Sequence, residues 1–140
     1  MITKTISNKF YGEGLEINPS INEDIRKLDY NLIVKLFEKS GLILFRDFEI
    51  KSSEIVKLTD LYTENYANDA LRRKSRMEQK EVRNVDYGNE EMALHSEASF
   101  SPNWPEIIWF FCNEFNTDGR GTTTLCDGIK LWDNLSYETK

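Results

Sequence analysis

Histidine occurs once in these 140 residues, at His95, cysteine twice and proline three times. One histidine and two cysteines make no zinc pattern, because structural zinc sites draw four ligands from paired Cys and His motifs. Cys112 and Cys126 form no Cys-x-x-Cys pair and both sit in apolar, strand-like stretches. Buried free thiols are expected, with a disulfide or a reactive thiol as the alternatives. No apolar run approaches the length of a bilayer span, and the opening stretch from Met1 to Ser7 lacks the apolar core of a secretory signal. The expected location is therefore the cytoplasm. Positive charge is scarce too: 18 Lys and Arg against 24 Asp and Glu leave a net charge of −6. That balance opposes attraction to phosphate backbones and anionic surfaces, so neither nucleic acid nor a membrane is an expected partner.

What is present is the composition of an ordinary globular domain, 39% hydrophobic and 30% charged. Residues 1–20 read as an extended lead-in broken by Gly12, Gly14 and Pro19. From Asn22 to Lys39, Ile25, Leu28, Leu32, Ile33, Leu36 and Phe37 recur at helical spacing, with Ser20 or Asn22 as the cap and Gly41 past the end. Glu23 and Asp24 then fall in the first turn, where they suit the helix dipole. Gly41 to Arg46 is a nearly continuous apolar run, the pattern of a strand buried on both faces. A second helix is expected from Ser53 to Tyr66, along Ile55, Leu58, Tyr62 and Tyr66.

Between Ala67 and Val82 the composition turns polar and includes Arg72-Arg73-Lys74 and Arg76. This segment reads either as a solvated connector or as a lid or anion-binding loop near a substrate site. Further on, Ile107 to Cys112 is aromatic and β-branched, the pattern of a central strand. A turn with Asn116, Asp118, Gly119 and Gly121 leads to a β-favouring run, Thr122 to Cys126. Last comes a helix from Ile129 to Tyr137, with Ile129, Trp132 and Leu135 on one side.

The chemistry concentrates at His95-Ser96-Glu97. On a β-strand, residues i and i+2 point the same way and can converge on one metal ion. A neutral imidazole and a carboxylate are two of the three ligands in the facial triad that holds non-haem Fe(II) with positions open. Acids make up 24 of 140 residues, so the pair by itself is equally readable as a surface histidine beside a chance acid. Its flanking residues tip the reading.

Leu94 to Ser101, then Trp104-Pro105, then Ile108 to Cys112, then Gly121, Thr123 and Asp127 closely resemble the iron- and 2-oxoglutarate-dependent dioxygenases of the taurine dioxygenase (TauD/TfdA) family. Within it the resemblance is strongest to members that hydroxylate amino acids in secondary metabolism. Gly41 to Phe48 is similar to the family's early strand, so the likeness covers about residues 25–135. The resemblance implies that His95 and Glu97 are iron ligands and that Thr123 contacts the co-substrate 2-oxoglutarate. Arg120 and Thr122 stand where the family's glycine and acid stand, while Gly121 and Thr123 match. Ser99, Phe100 and Trp104 are candidates for a pocket lining. A glutamate in the carboxylate position argues for hydroxylation, because a halogenating relative needs that position vacated for halide.

The family also requires a second iron histidine, and an arginine that pairs with the far carboxylate of 2-oxoglutarate. Neither can be assigned within residues 1–140. The expected fold is therefore α+β: the N-terminal portion of a double-stranded β-helix (jelly-roll) with flanking helices, as in a truncated chain. On that expectation residues 1–82 hold N-terminal helices and first strands, and residues 83–140 begin the jelly-roll core of a single incomplete dioxygenase domain. The expected function is hydroxylation of an amino acid or a small, free or carrier-bound, derivative. The alternative is a non-catalytic fragment that acts only by associating with another subunit, as a homo-oligomer or with a completing chain. A nucleic-acid module built on Arg72 to Arg76 runs against the net charge.

Overall fold

A computed structural model describes residues 1–8, 12–67, 75–76, 79–83, 85, 92–102, 104–115, 117–118 and 123–140. The basic run Arg72 to Lys74, together with Asn116 and the Gly119 to Thr122 turn, lies outside the described residues. The chain divides into two compact units, Met1–Ile50 with Gly119–Lys140, and Lys51–Asp118.

In the first unit the lead-in is a strand pair. β1 (Ile2–Asn8) and β2 (Gly12–Asn18) run antiparallel, in register from Ile2 opposite Asn18 to Asn8 opposite Gly12. β3 (Ile43–Phe45) joins β2 in parallel, pairing Leu15 with Ile43 and Ile17 with Phe45. Parallel neighbours need a crossover, and α1 (Tyr30–Ser40) lies on it, in contact with both strands. Ile17 on the central strand is wholly buried, and Ile25 and Ile33 are nearly so. Gly14 is buried where β2 meets Leu42, a position with no room for a side chain. Among the described residues β3 is an edge strand, in the order β1-β2-β3, and Leu44 is exposed. The expectation of a strand covered on both faces is corrected accordingly.

The first helix begins later than its periodicity predicts. Asn22 takes a left-handed φ of 57°, and the Asp24 carboxylate accepts from the Arg26 amide, closing only a short 3-10 turn at Ile25–Lys27. Asp29 then caps α1 by accepting from Leu32 N at 2.7 Å. Local side-chain bonds to the backbone have outcompeted helix in the preceding residues. At the other end Gly41 adopts φ 68°, and its amide donates to the Phe37 carbonyl at 2.7 Å, the left-handed stop that glycine permits. The closing helix, α3 (Gly128–Asn134), starts on Asp127, whose Oδ1 accepts from the amides of Ile129 and Lys130.

In the second unit a 3-10 turn at Ser52–Glu54 runs into α2 (Ile55–Thr59), which buries Ile55, Leu58 and Thr59. The helix expected to reach Tyr66 stops at Thr59. There the chain folds back, bringing the Tyr66 hydroxyl to 2.7 Å from both Thr59 Oγ1 and Asp60 Oδ1. Two short antiparallel strands follow, β4 (Ser75–Arg76) and β5 (Gln79–Arg83), and β5 packs on α2.

Ile107 to Cys112 is a further correction, because it joins no sheet among the described residues. Ile107, Ile108 and Phe110 are exposed, while Trp109 and Phe111 are half-buried. Trp109 packs on Tyr62 with ring centroids 5.5 Å apart. With no strand alongside among the described residues to take its amides and carbonyls, an apolar run of this kind has no ladder to enter. The thiols differ from expectation as well: both are free, but Cys112 is exposed and Cys126 half-buried. The architecture is α+β, with a three-stranded sheet, a two-stranded one and three helices among the described residues. The described strands do not assemble a double-stranded β-helix. No helix among the described residues is long and apolar enough to cross a membrane.

Candidate metal site

His95 lies in irregular backbone, residues 92–96, and Glu97 opens the turn that follows, residues 97–100. The strand expected to align them is absent, yet the two side chains still converge. In the turn that follows, Ala98 takes a left-handed φ of 53°, and the amide of Ser101 donates back to the Ala98 carbonyl at 2.8 Å. Ala98 is itself buried, which anchors the turn.

His95 Nε2 stands 3.9 Å from Glu97 Oε2, with the imidazole half exposed and the carboxylate one-third exposed. On the far side of the ring, Nδ1 lies 2.9 Å from the Ala93 carbonyl oxygen. A carbonyl only accepts, so Nδ1 carries the proton and donates it there. In the neutral ring the lone pair then belongs to Nε2, on the side facing Glu97. This is how an outer partner orients a metal-ligating histidine: the bond at one nitrogen selects the tautomer and the ring angle at the other.

The pair lies in a cleft of about 410 Å³ lined by His95, Ser96, Glu97, Ser99, Trp104, Pro105 and Ile108, all from the second unit. That volume is within the usual range for small-molecule sites. Ser99 and Trp104 line it as candidates from the sequence, whereas Phe100 is 91% exposed and is not among the lining residues. Ser96, Pro105 and Ile108 were not singled out as lining: the first two entered only as parts of the resembling stretches, the third as part of the expected strand. Their nearness to the motif in the chain was the signal. Thr123, in the first unit, is exposed in irregular backbone ahead of α3.

Imidazole nitrogen with carboxylate oxygen is a donor set that suits Fe(II) and other borderline divalent ions. Two donors at right angles, each about 2.1 Å from a metal, stand about 3 Å apart. The observed 3.9 Å is wider than that, so the partly exposed Glu97 carboxylate would have to move toward Nε2 for the two to share a metal. A third protein donor is needed for a complete triad, and no cluster of three His, Cys, Asp or Glu side chains is formed among the described residues. The pair thus fits part of an iron site.

The model of the family described as "Taurine catabolism dioxygenase TauD, TfdA family" matches residues 3–140. No curated protein and no solved structure matches the chain.

Proposed function

Because the chain belongs to the taurine catabolism dioxygenase TauD, TfdA family, we propose that it is an Fe(II)- and 2-oxoglutarate-dependent oxygenase with His95 and Glu97 as two of its iron ligands. Its substrate on this reading is an amino acid or a small derivative, free or carrier-bound. The observation that carries the proposal is the pre-set pair: Nε2 opposite a carboxylate oxygen at 3.9 Å, with Nδ1 held by the Ala93 carbonyl.

Iron with 2-oxoglutarate supplies the oxidising power for inserting oxygen into a substrate C–H bond, and the protein contributes position and exclusion of water. The Ala93 carbonyl keeps the His95 proton on Nδ1, so that Nε2 is free to donate to a metal without first losing a proton. Glu97 brings a negative charge that balances part of the metal's. Because it fills the carboxylate position, hydroxylation is favoured over halogenation. Thr123 is proposed to contact 2-oxoglutarate, on the family pattern around Gly121 and Thr123. The complete site would belong to a jelly-roll, with a third donor that is not His95, the single histidine of these residues. Free rather than disulfide-linked cysteines suit a reducing, cytoplasmic setting.

The test is metal binding and turnover on the full-length protein. Mn(II), an oxygen-stable stand-in for Fe(II), should bind, and titration calorimetry should show its affinity falling at least about a hundredfold in His95→Ala and in Glu97→Ala. Succinate formation from 2-oxoglutarate should vanish in both. Wild-type affinity or turnover retained in either variant refutes the assignment.

A further inference from the structure

One end of the cleft is accounted for by the His95 and Glu97 pair; the rest is not. Trp104, Pro105 and Ile108 make up the apolar part of the lining, and among the described residues no lysine or arginine lines it. Trp104 is 64% exposed and Ile108 47%. Large apolar faces turned to water beside two metal-binding donors gain free energy when a ligand covers them. We infer that Trp104, Pro105 and Ile108 form the surface that selects the substrate, and that they select an apolar side chain. This rests on the metal-site reading above and adds the chemical class of the ligand.

Charge narrows the class. A cationic side chain in the cleft would compete with the metal for the Glu97 carboxylate, and an anionic one would compete with Glu97 for the metal. An aliphatic or aromatic side chain meets neither obstacle. It can lie against the Trp104 indole and the Ile108 side chain and remove both from water. Ser96 and Ser99, which adjoin the pair in sequence, supply hydroxyls for the polar atoms of the same ligand. The volume of about 410 Å³ accommodates an amino acid with a branched or aromatic side chain.

The experiment is a binding series on the full-length protein with L-alanine, L-valine, L-leucine, L-phenylalanine, L-aspartate and L-arginine, by calorimetry, with and without Mn(II). Affinity should rise about fourfold per added methylene along the aliphatic members, with aspartate and arginine weakest. Trp104→Ala and Ile108→Ser should each flatten that rise, and Trp104→Phe should keep most of it. A series indifferent to side-chain size, a preference for the charged members, or a rise unchanged in both variants overturns the inference. The metal reading fails separately, by absence of Mn(II) binding, while the metal-free arm still reads the apolar surface.

Discussion

Asp24 accepts from the Arg26 side chain through both carboxylate oxygens, at 2.9 and 2.8 Å, and from the Arg26 amide at 2.9 Å. The guanidinium first and the amide second hold its pKa down from an ordinary 3.8 to about 2. A depressed carboxylate contributes stability that is present above its ordinary pKa and is lost as pH falls through the depressed one. The window is therefore between about 4 and about 2. Arg26→Ala should return the Asp24 midpoint toward 3.8, read by carboxyl NMR titration. Gly14 makes a steric case at the same scale. A Cβ there would stand 2.9 Å from Leu42 Cδ2, 3.0 Å from Cγ and 3.2 Å from Cβ. Gly14→Ala should cost about 1–3 kcal/mol in chemical denaturation, the range for overpacking, and Leu42→Ala in the same chain should recover part of it. Neither effect was legible in sequence. Gly14 read only as a breaker, because its neighbour Leu42 arrives through β2–β3 pairing across 28 positions of chain. The closeness of His95 and Glu97 was legible, since a spacing of two residues is a local pattern.

Among elements, α1 shows what periodicity registers and what it leaves out. The apolar spacing from Ile25 to Phe37 did mark a helix, but the first turn belongs to Tyr30, because Asp29 supplies the capping oxygen. Asp29→Ala should lower stability by about 1 kcal/mol, with the loss appearing in the denaturation midpoint and in helical circular dichroism, while Asp29→Asn should keep most of it. The glycine at the other end was read correctly. Gly41→Ala should destabilise by about 1 kcal/mol at its φ of 68°, more than Gly41→Asn, since asparagine tolerates the left-handed region better. α2 was predicted too long for a different reason. Tyr66 has the spacing to continue the helix, yet its hydroxyl finds Thr59 and Asp60 only if the chain turns back. Spacing alone does not separate a helix from a turn that satisfies the same side chain.

At the scale of the molecule, large apolar side chains remain uncovered in each unit. In the first these include Ile129, Trp132 and Tyr137; in the second, Phe100, Trp104, Phe110 and Phe115. Surfaces of this kind bind apolar dyes and promote association. The native chain should therefore enhance anilinonaphthalene sulfonate fluorescence and sediment faster as concentration rises. Phe110→Ser with Phe115→Ser should reduce both; unchanged dye binding would place the accessible surface elsewhere. The sequence by itself determined the family, the α+β class and the places where α1 and α3 occur. All of these rest on residue types and spacings within a few positions, where local sterics and hydrogen bonding act. Tertiary structure decided which strands pair, that among the described residues β3 is an edge and Ile107 to Cys112 stays outside a sheet, and that Trp104, Pro105 and Ile108 share a cleft with His95 and Glu97. Those outcomes depend on what lies across from a residue in space. A hydrophobic run carries the same burial tendency wherever it falls, and only its neighbours settle whether that tendency is satisfied by a sheet, by a ring contact or by a ligand.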